Sequence, residues 1–148
     1  ALGEVDSPKT LTIRCSMIGR ELYNFTELFE WLKKNKNKKI EGYSKVFYSG
    51  ITTVRMGKIL NQILNKNLNL SGIYNISSTP ISKFDLLVKL SNAFNLNVDI
   101  KQNKNNKSNK VLISEKFTEI TGIYPPNWDD LIFELKDDCE KFKSLYKN

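Results

Sequence analysis

Apolar side chains in the middle of the chain repeat with the spacing of a helix. Over residues 53–64 they recur at i, i+3, i+4, i+7 and i+8, which predicts an amphipathic helix with one stripe toward the core. The stripe consists of Met56, Ile59, Leu60, Ile63 and Leu64. Thr52 or Thr53 is the expected N-cap, because a hydroxyl can accept a hydrogen bond from the first free N–H groups.

A second helix is predicted after Pro80. Ser82 and Asp85 have the spacing of a capping box, and proline suits the start of a helix. Its expected inward side chains are Phe84, Leu87, Val88, Ser91 and Phe94.

Three further helices are predicted toward the two ends of the chain. Residues 25–32 carry an i, i+3, i+4, i+7 stripe, with Asn24 as the favoured cap. Ser114 is expected to cap a short helix that ends at Gly122. Asn127 is expected to cap the last one, whose stripe is Trp128, Leu131, Ile132 and Leu135.

Strands are predicted where β-branched and aromatic residues cluster. These segments are residues 11–16, 40–49 and 72–77, with brief strands at 98–100 and 111–113. Residues 47–84 therefore form an expected β-α-β-α unit, with hydroxyl groups where its strands end. Ligands of open α/β sheets bind at that edge, where helix N-termini present N–H groups.

The net charge of +7 comes largely from two Lys/Asn tracts, residues 33–39 and 101–110. Both lack arginines and aromatic residues, which specific nucleic-acid surfaces usually contain. We therefore expect solvated loops at both tracts and no nucleic-acid partner, with a weak polyanion surface as the alternative.

Cysteine and histidine usage narrows the chemistry. Cys15 and Cys139 lie far apart in sequence and are expected to be free thiols of a reducing, cytoplasmic compartment. The absence of histidine excludes His-dependent triads and His metal sites within these residues. We see no clustered metal ligands, no apolar run of the ~20 residues that a membrane helix needs, and no signal peptide at the start.

Five segments, in this order, resemble one enzyme family. They are ALGEV (1–5), LTIRCSMIGREL (11–22), FYSGITT (47–53), SGIYNISSTPISKFDLL (71–87) and FTEITGIYPPNWDDLI (117–132). Together they resemble the C-terminal half of extended short-chain dehydrogenases/reductases that act on nucleotide sugars, in the dTDP-4-dehydrorhamnose reductase-like group of reductases and epimerases, often found in polysaccharide synthesis.

The resemblance implies an α/β fold: the C-terminal part of a Rossmann-type sheet with a small mixed α/β substrate-binding lobe, in one domain over residues 1–148. It implies NAD(P) as cofactor and a nucleotide sugar as substrate of the complete protein. The family's catalytic Tyr-x-x-x-Lys would precede Ala1, and no G-x-x-G-x-x-G occurs in the chain. We therefore expect no catalytic residue and no motif for the cofactor here.

Matching the family's pattern residue by residue implies a partial substrate site. Its members are Ser16, Gly19, Asn24, Phe25, Gly50, Thr53 and Lys110. A structural role competes for several of them, since Ser16 and Thr53 also suit a strand end and a helix cap. Arg14 is expected to form an ion pair with Glu4 or Glu21 rather than to contact substrate.

Three hypotheses remain open from the sequence. The chain is the substrate-binding part of a nucleotide-sugar reductase or epimerase, a basic module that binds a polyanion, or a non-catalytic scaffold that keeps the fold. If no other strand lies beside residues 11–16, we expect that apolar edge to pair with a second copy in a homodimer.

Overall fold

The computed structural model describes residues 4–5, 7–66 and 68–145. Their strands and helices are, in chain order, β1 (Leu11–Arg14), β2 (Met17–Ile18), α1 (Leu28–Lys34), β3 (Lys39–Tyr48), β4 (Ile51–Thr52), α2 (Thr53–Asn65), β5 (Gly72–Asn75), β6 (Ile81–Ser82), α3 (Lys83–Ala93), β7 (Asp99–Lys110), α4 (Glu115–Thr121) and α5 (Trp128–Lys141). A short 3₁₀ turn, Lys143–Leu145, follows.

The strands form three small sheets. β1 pairs with β5, and β2 pairs with β4, both in parallel. The third sheet has the order β6-β3-β7, in which β3 runs antiparallel to β6 and parallel to β7. Parallel and mixed pairing between strands separated by helices confirms the predicted α/β class.

Helix α3 covers one face of the third sheet. A Cβ on Gly42 of β3 would lie 3.0 Å from the Phe84 backbone, so a side chain there would push α3 slightly away from the sheet. Leu86, Leu87 and Leu90 of α3 are buried. Among the described residues no helix covers the other face of β3, since its alternate residues from Lys39 to Phe47 are exposed.

The predicted caps of the three longest helices are confirmed. Thr52 Oγ1 accepts a hydrogen bond from Arg55 N at the start of α2, which decides between the two threonine candidates. Ser82 Oγ accepts from Asp85 N at α3, and Asn127 Oδ1 accepts from Asp130 N at α5. The α5 stripe of Trp128, Leu131, Ile132 and Leu135 is buried as predicted.

The predicted stripes of α2 and α3 are only partly buried. Met56, Ile59 and Ile63 are in the core, whereas Leu60 and Leu64 are exposed, Leu64 by 73%. A helix packed along one narrow contact buries fewer positions than the full apolar stripe offers.

In α3, Leu87 and Ser91 are buried as predicted. Phe84, Val88 and Phe94 are only partly buried.

The second Lys/Asn tract is a strand, so its prediction as a loop was wrong. β7 runs through the tract to Lys110 and pairs with β3 over nearly its whole length. Lysine and asparagine have low strand propensity, and pairing with the β-branched and aromatic β3 overrides it. The first tract lies in the last turn of α1, the turn that follows and the first residue of β3.

The predicted edge strand at residues 111–113 is also wrong. This segment has no strand pairing, and Leu112 instead bonds a side chain: its N–H donates to Ser49 Oγ over 2.8 Å. Ser114 stands at the N-cap position of α4 but makes no capping hydrogen bond. Gly122 ends α4 with a left-handed φ of 70°, as predicted.

Asn24 does not cap α1, which begins at Leu28 with Glu27 as its N-cap residue. Asn24 and Phe25 lie in a preceding turn with φ of 66° and 53°. The Glu21 carboxylate takes the place of the predicted cap, because it accepts hydrogen bonds from the N–H groups of Thr26 and Glu27.

Two arginines near the start of the chain form ion pairs. Arg14 forms the predicted ion pair with Glu4 through two hydrogen bonds of 2.6 and 2.7 Å. Arg20 bonds Glu30, whose side chain is only 3% exposed and also accepts from Lys33 over 3.1 Å.

Cys15 and Cys139 are free thiols, as predicted. Within the resemblance, the residues 1–3 of ALGEV lie outside the described part of the chain.

Candidate functional site

A cleft of about 240 Å³ lies where the segment after β1 meets the end of β3 and the first residues of α2 and α3. Of the residues predicted for the substrate site, Ser16, Gly19 and Thr53 line it. Tyr48 and Lys83, which the sequence did not single out, line it as well. The fold thus brings together hydroxyl groups from separate segments beside two cationic side chains, Lys83 and the ion-paired Arg20.

Tyr48 forms the floor of the cleft. Its ring is buried against Trp128, with ring centroids 5.8 Å apart. Burial raises the pKa of the Tyr48 phenol, and a side-chain hydrogen bond with Ser16 offsets only part of that effect. The phenol therefore keeps its proton at neutral pH and is available as a neutral hydrogen-bond group.

Gly50 is required by the position of Tyr48. A Cβ on Gly50 would lie 1.8 Å from the Tyr48 hydroxyl oxygen, so any side chain there displaces the phenol. Gly19 has a similar role on the opposite side, since its Cβ would lie 2.3 Å from Thr53 Oγ1. These two glycines bring backbone close to the hydroxyl groups of the cleft.

Lys83 is the first residue of α3, directly after the Ser82 cap. Its ammonium lies 4.2 Å from the centroid of the Tyr48 ring. Burial lowers the pKa of Lys83, and the nearby charge of Lys110 lowers it further. The first turn of a helix carries the positive end of the helix dipole, so it is an unfavourable place for a cation.

Lys110 adds a second positive charge at this end of the sheet. It is the last residue of β7 and pairs in register with Tyr48. Within the part of the chain that the structure describes, neither Lys83 nor Lys110 forms an ion pair with a carboxylate. Two neighbouring ammonium groups without a counter-ion favour an anionic ligand.

Among the described residues, the two acidic side chains of the cleft form no ion pair with Lys83 or Lys110. Glu21 and Glu27 line the same cleft. Both oxygens of Glu21 are occupied by the backbone N–H groups that precede α1. Glu27 is exposed at the N-cap position of α1.

Asn24 and Phe25 do not line the cleft, although they were predicted beside the substrate. They belong to the turn before α1, where the Phe25 carbonyl accepts a hydrogen bond of 2.6 Å from Lys34 Nζ. The structure therefore gives these two residues a role in ordering that turn.

A second, larger opening of about 660 Å³ lies beyond the end of β5. Its serine hydroxyl groups are engaged within the protein, since Ser77 donates to Ser114 Oγ and Ser78 donates to the Thr79 carbonyl. Ile113 and Tyr124 leave much of its wall apolar and exposed. Convergent charge and hydroxyl groups make the smaller cleft the stronger candidate.

Two signals in the sequence point to the residues that were missed. Tyr48 follows the inward alternation of β3, so it must face the covered side of the sheet. Lys83 places a cation in the first turn of a capped helix, against the usual preference.

The starts of the three longest helices differ from a dinucleotide-binding turn. Such sites use a Gly-rich turn whose free N–H groups face the pyrophosphate. At α2, α3 and α5 a Thr, Ser or Asn side chain already accepts a hydrogen bond from one of these groups. Among the described residues there is also no group of three carboxylates or thiols placed to hold a metal ion, and no helix long and apolar enough to cross a membrane.

No protein-family model matches the sequence, and no curated protein matches it. Solved structures do match the fold. The dTDP-4-dehydrorhamnose reductase of Bacillus anthracis, in complex with NADP, aligns with a TM-score of 0.71 and 17% identity over 88% of this chain and 48% of the reductase. A dTDP-4-dehydrorhamnose reductase from Clostridium acetobutylicum aligns with 0.71 and 15% identity over 90% and 50%. The UDP-N-acetylglucosamine 4-epimerase of Bacillus cereus aligns with 0.66 and 16% identity over 88% and 48%.

These matches agree with the resemblance inferred from the sequence. The structural neighbours are Rossmann-fold nucleotide-sugar reductases and epimerases, and the chain spans about half the length of each. At this level of identity the shared property is the fold.

Proposed function

We propose that the cleft binds a nucleotide sugar, as the substrate-binding part of an NAD(P)-dependent reductase or epimerase. The observation that carries this proposal is Lys83 in a cleft lined by hydroxyl groups, with the positive charge of Lys110 close enough to act on it. A nucleoside-diphosphate sugar presents a dianionic diphosphate to the lysines. Its sugar offers hydroxyl groups to Ser16, Thr53 and the Tyr48 phenol.

The proposal gives each side chain a distinct part. Lys83 and Lys110 neutralise the diphosphate as point charges, without the two-pronged geometry of arginine. The protonated Tyr48 phenol and Ser16 orient the sugar. Gly19 and Gly50 have no side chain, which leaves space for the hydroxyl groups of Thr53 and Tyr48.

Hydride transfer requires residues that are not in this chain. Because the starts of the three longest helices differ from a dinucleotide-binding turn, we propose that the cofactor and the catalytic acid lie in another half of the complete protein. Two observations support this division: the neighbours are about twice as long, and the one from Bacillus anthracis was solved with NADP. We further propose cytoplasmic polysaccharide-sugar synthesis as the setting.

Titration calorimetry with dTDP- and UDP-sugars tests the proposal, on this chain and on a longer form that carries the preceding half. Lys83→Met should weaken binding by about tenfold or more, because it removes a charge-assisted contact worth ~1.5–3 kcal/mol. Lys116→Met is the matched control, since Lys116 also lies over a tyrosine ring, at 4.3 Å, but outside the cleft.

Two results would count against the proposal. If the longer form binds no nucleotide sugar, the substrate assignment fails. If Lys116→Met weakens binding as much as Lys83→Met, the cleft is not the site.

A further inference from the structure

The uncovered face of β3 carries two aromatic rings. Because side chains alternate along a strand, Lys39, Glu41, Tyr43, Lys45 and Phe47 share the face that points away from α3. Tyr43 is 36% exposed and Phe47 is 43% exposed. Both rings therefore lie open to solvent on one side of the sheet.

Strand β7 places lysines beside these rings. In the register of the parallel pair, Tyr43 lies opposite Asn103, Lys45 opposite Lys107 and Phe47 opposite Asn109. The register shifts after Tyr43, where β3 advances by two residues and β7 by four. An insertion of an even number of residues keeps the alternation, so Lys107 shares the face of Lys45.

The positive charge on this face is not balanced. Lys45 and Lys107 are like charges directly opposite each other, an arrangement that destabilises a sheet. In the ranges that the structure describes, no ion pair involves Lys45, Lys101 or Lys107. Lys101 lies opposite Glu41 in register, and the Glu41 carboxylate accepts a hydrogen bond from the Asn103 side chain. Lys45 and Lys107 have no acid opposite them.

We propose that this outer face, formed by Tyr43, Lys45, Phe47, Lys101 and Lys107, binds single-stranded nucleic acid. Bases stack on the two rings, and the lysines between and beside them contact phosphates. Four strand residues separate the rings by about 13 Å, which leaves room for a phosphate at Lys45. Aromatic residues were missing from the Lys/Asn tract itself, and the fold supplies them from the neighbouring strand.

This surface is separate from the cleft. Tyr48, at the cleft, points to the covered side of β3, whereas Phe47 points to the open side. Binding at the outer face therefore does not depend on the proposed binding of nucleotide sugars, and each can be tested with the other site intact.

Fluorescence anisotropy of a labelled oligo-dT of about 20 nucleotides tests the proposal over a series of NaCl concentrations. Two double variants separate the contributions: Tyr43→Leu with Phe47→Leu removes both rings but keeps apolar side chains, and Lys45→Gln with Lys107→Gln removes the facing charges. Lys116→Gln with Lys143→Gln is the control, with the same change of charge away from the outer face. Thermal unfolding checks the fold of each variant.

The ring variant should weaken binding by about tenfold or more for each ring that stacks. The lysine variant should reduce the slope of log affinity against log salt by roughly 1.4, about 0.7 for each phosphate that a lysine no longer neutralises. The control should change neither result beyond its effect on overall charge.

Two outcomes would overturn the proposal. One is the absence of any anisotropy change at low salt. The other is binding that long-chain polyphosphate, which has no bases, displaces equally well from the wild type and from the ring variant. That second result would assign the face to a polyanion held by charge alone.

Discussion

Arg20 and Lys83 each bring a positive charge to a buried or half-buried position, and the fold treats the two charges differently. Arg20 is met by Glu30, which Lys33 also contacts, and its guanidinium forms a further side-chain hydrogen bond with Cys139. The Lys83 ammonium lies over the Tyr48 ring, and the positive charge of Lys110 repels it.

The difference is consistent with a structural role for Arg20 and with the proposed ligand-binding role for Lys83. A buried ion is tolerated when partners compensate for its lost hydration, and removing one partner is costly. An uncompensated, half-buried cation costs stability in the empty protein, and an arriving anion recovers that cost. The Arg20 cluster thus holds the segment after β2 against α1, whereas Lys83 carries a charge without an ion pair, which the proposed anionic ligand would meet.

The strongest test of this comparison is Arg20→Met. It leaves the buried Glu30 carboxylate with Lys33 as its remaining cation, beside the long hydrogen bond from the Glu21 N–H. We expect a loss of about 3 kcal/mol in the free energy of unfolding. Urea denaturation measures it. Arg14→Met, at the exposed pair with Glu4, is the control and should leave the unfolding midpoint nearly unchanged. Equal effects of the two substitutions would contradict a structural role for Arg20.

Gly50→Ala tests the geometry of the cleft itself. The added Cβ meets the Tyr48 hydroxyl at 1.8 Å, so the ring must move and the protein should lose about 1–3 kcal/mol. Gly57→Ala on the exposed side of α2 is matched to it, because nothing lies within 4 Å of that Cβ. It should gain up to about 1 kcal/mol from helix propensity. A neutral Gly50→Ala would show that Tyr48 does not occupy the floor of the cleft.

Lys83→Met should behave in the opposite way to Arg20→Met. Methionine keeps the contact with the Tyr48 ring and removes the uncompensated charge, so stability should stay the same or rise, by less than about 1.5 kcal/mol. Urea denaturation without ligand measures this. A loss as large as that of Arg20→Met would mean that Lys83 has a structural partner and is not held for a ligand.

The smallest expected effect concerns the loss of stability at low pH. Burial alone would raise the pKa of Glu30, but hydrogen bonds and charges from Arg20 and Lys33 outweigh it and hold the pKa below its ordinary 4.5. Stability from this carboxylate is therefore present above pH 4.5 and is lost as the pH falls through the lowered value. Unfolding free energies measured from about pH 6 to about pH 3 should fall less steeply for Glu30→Gln. Parallel slopes would exclude Glu30 from the acid sensitivity.

Local sequence signals were sufficient where a few neighbouring residues decide the structure. The caps at Thr52, Ser82 and Asn127 and the left-handed Gly122 follow from hydroxyl, amide or glycine chemistry within one turn. The same holds for the apolar stripe of α5. The prediction of Asn24 as the α1 cap was wrong, because the Glu21 carboxylate accepts hydrogen bonds from the N–H groups of Thr26 and Glu27 instead.

The structure brings together only some of the residues predicted for the site, and their role in binding stays a prediction. Ser16, Gly19 and Thr53 line one cleft. Gly50 and Lys110 do not line it, but Gly50 lies against Tyr48 and the charge of Lys110 acts on Lys83. Tyr48 and Lys83 themselves were not predicted, because the contact between them joins the end of β3 to the start of α3 across the β3–β6 pairing.

By itself, the sequence determined the order of most helices and strands, their caps, the α/β class and the resemblance to nucleotide-sugar reductases. These depend on periodicity and on short motifs, which act over a few residues. Only the tertiary structure decided that the tract of residues 101–110 is a strand, because β3 supplies its backbone hydrogen bonds from about 60 residues away. The same pairing placed Tyr43 and Phe47 beside lysines and brought Lys110 close to Lys83. These contacts could not be predicted, because the register between distant strands is not encoded in local composition.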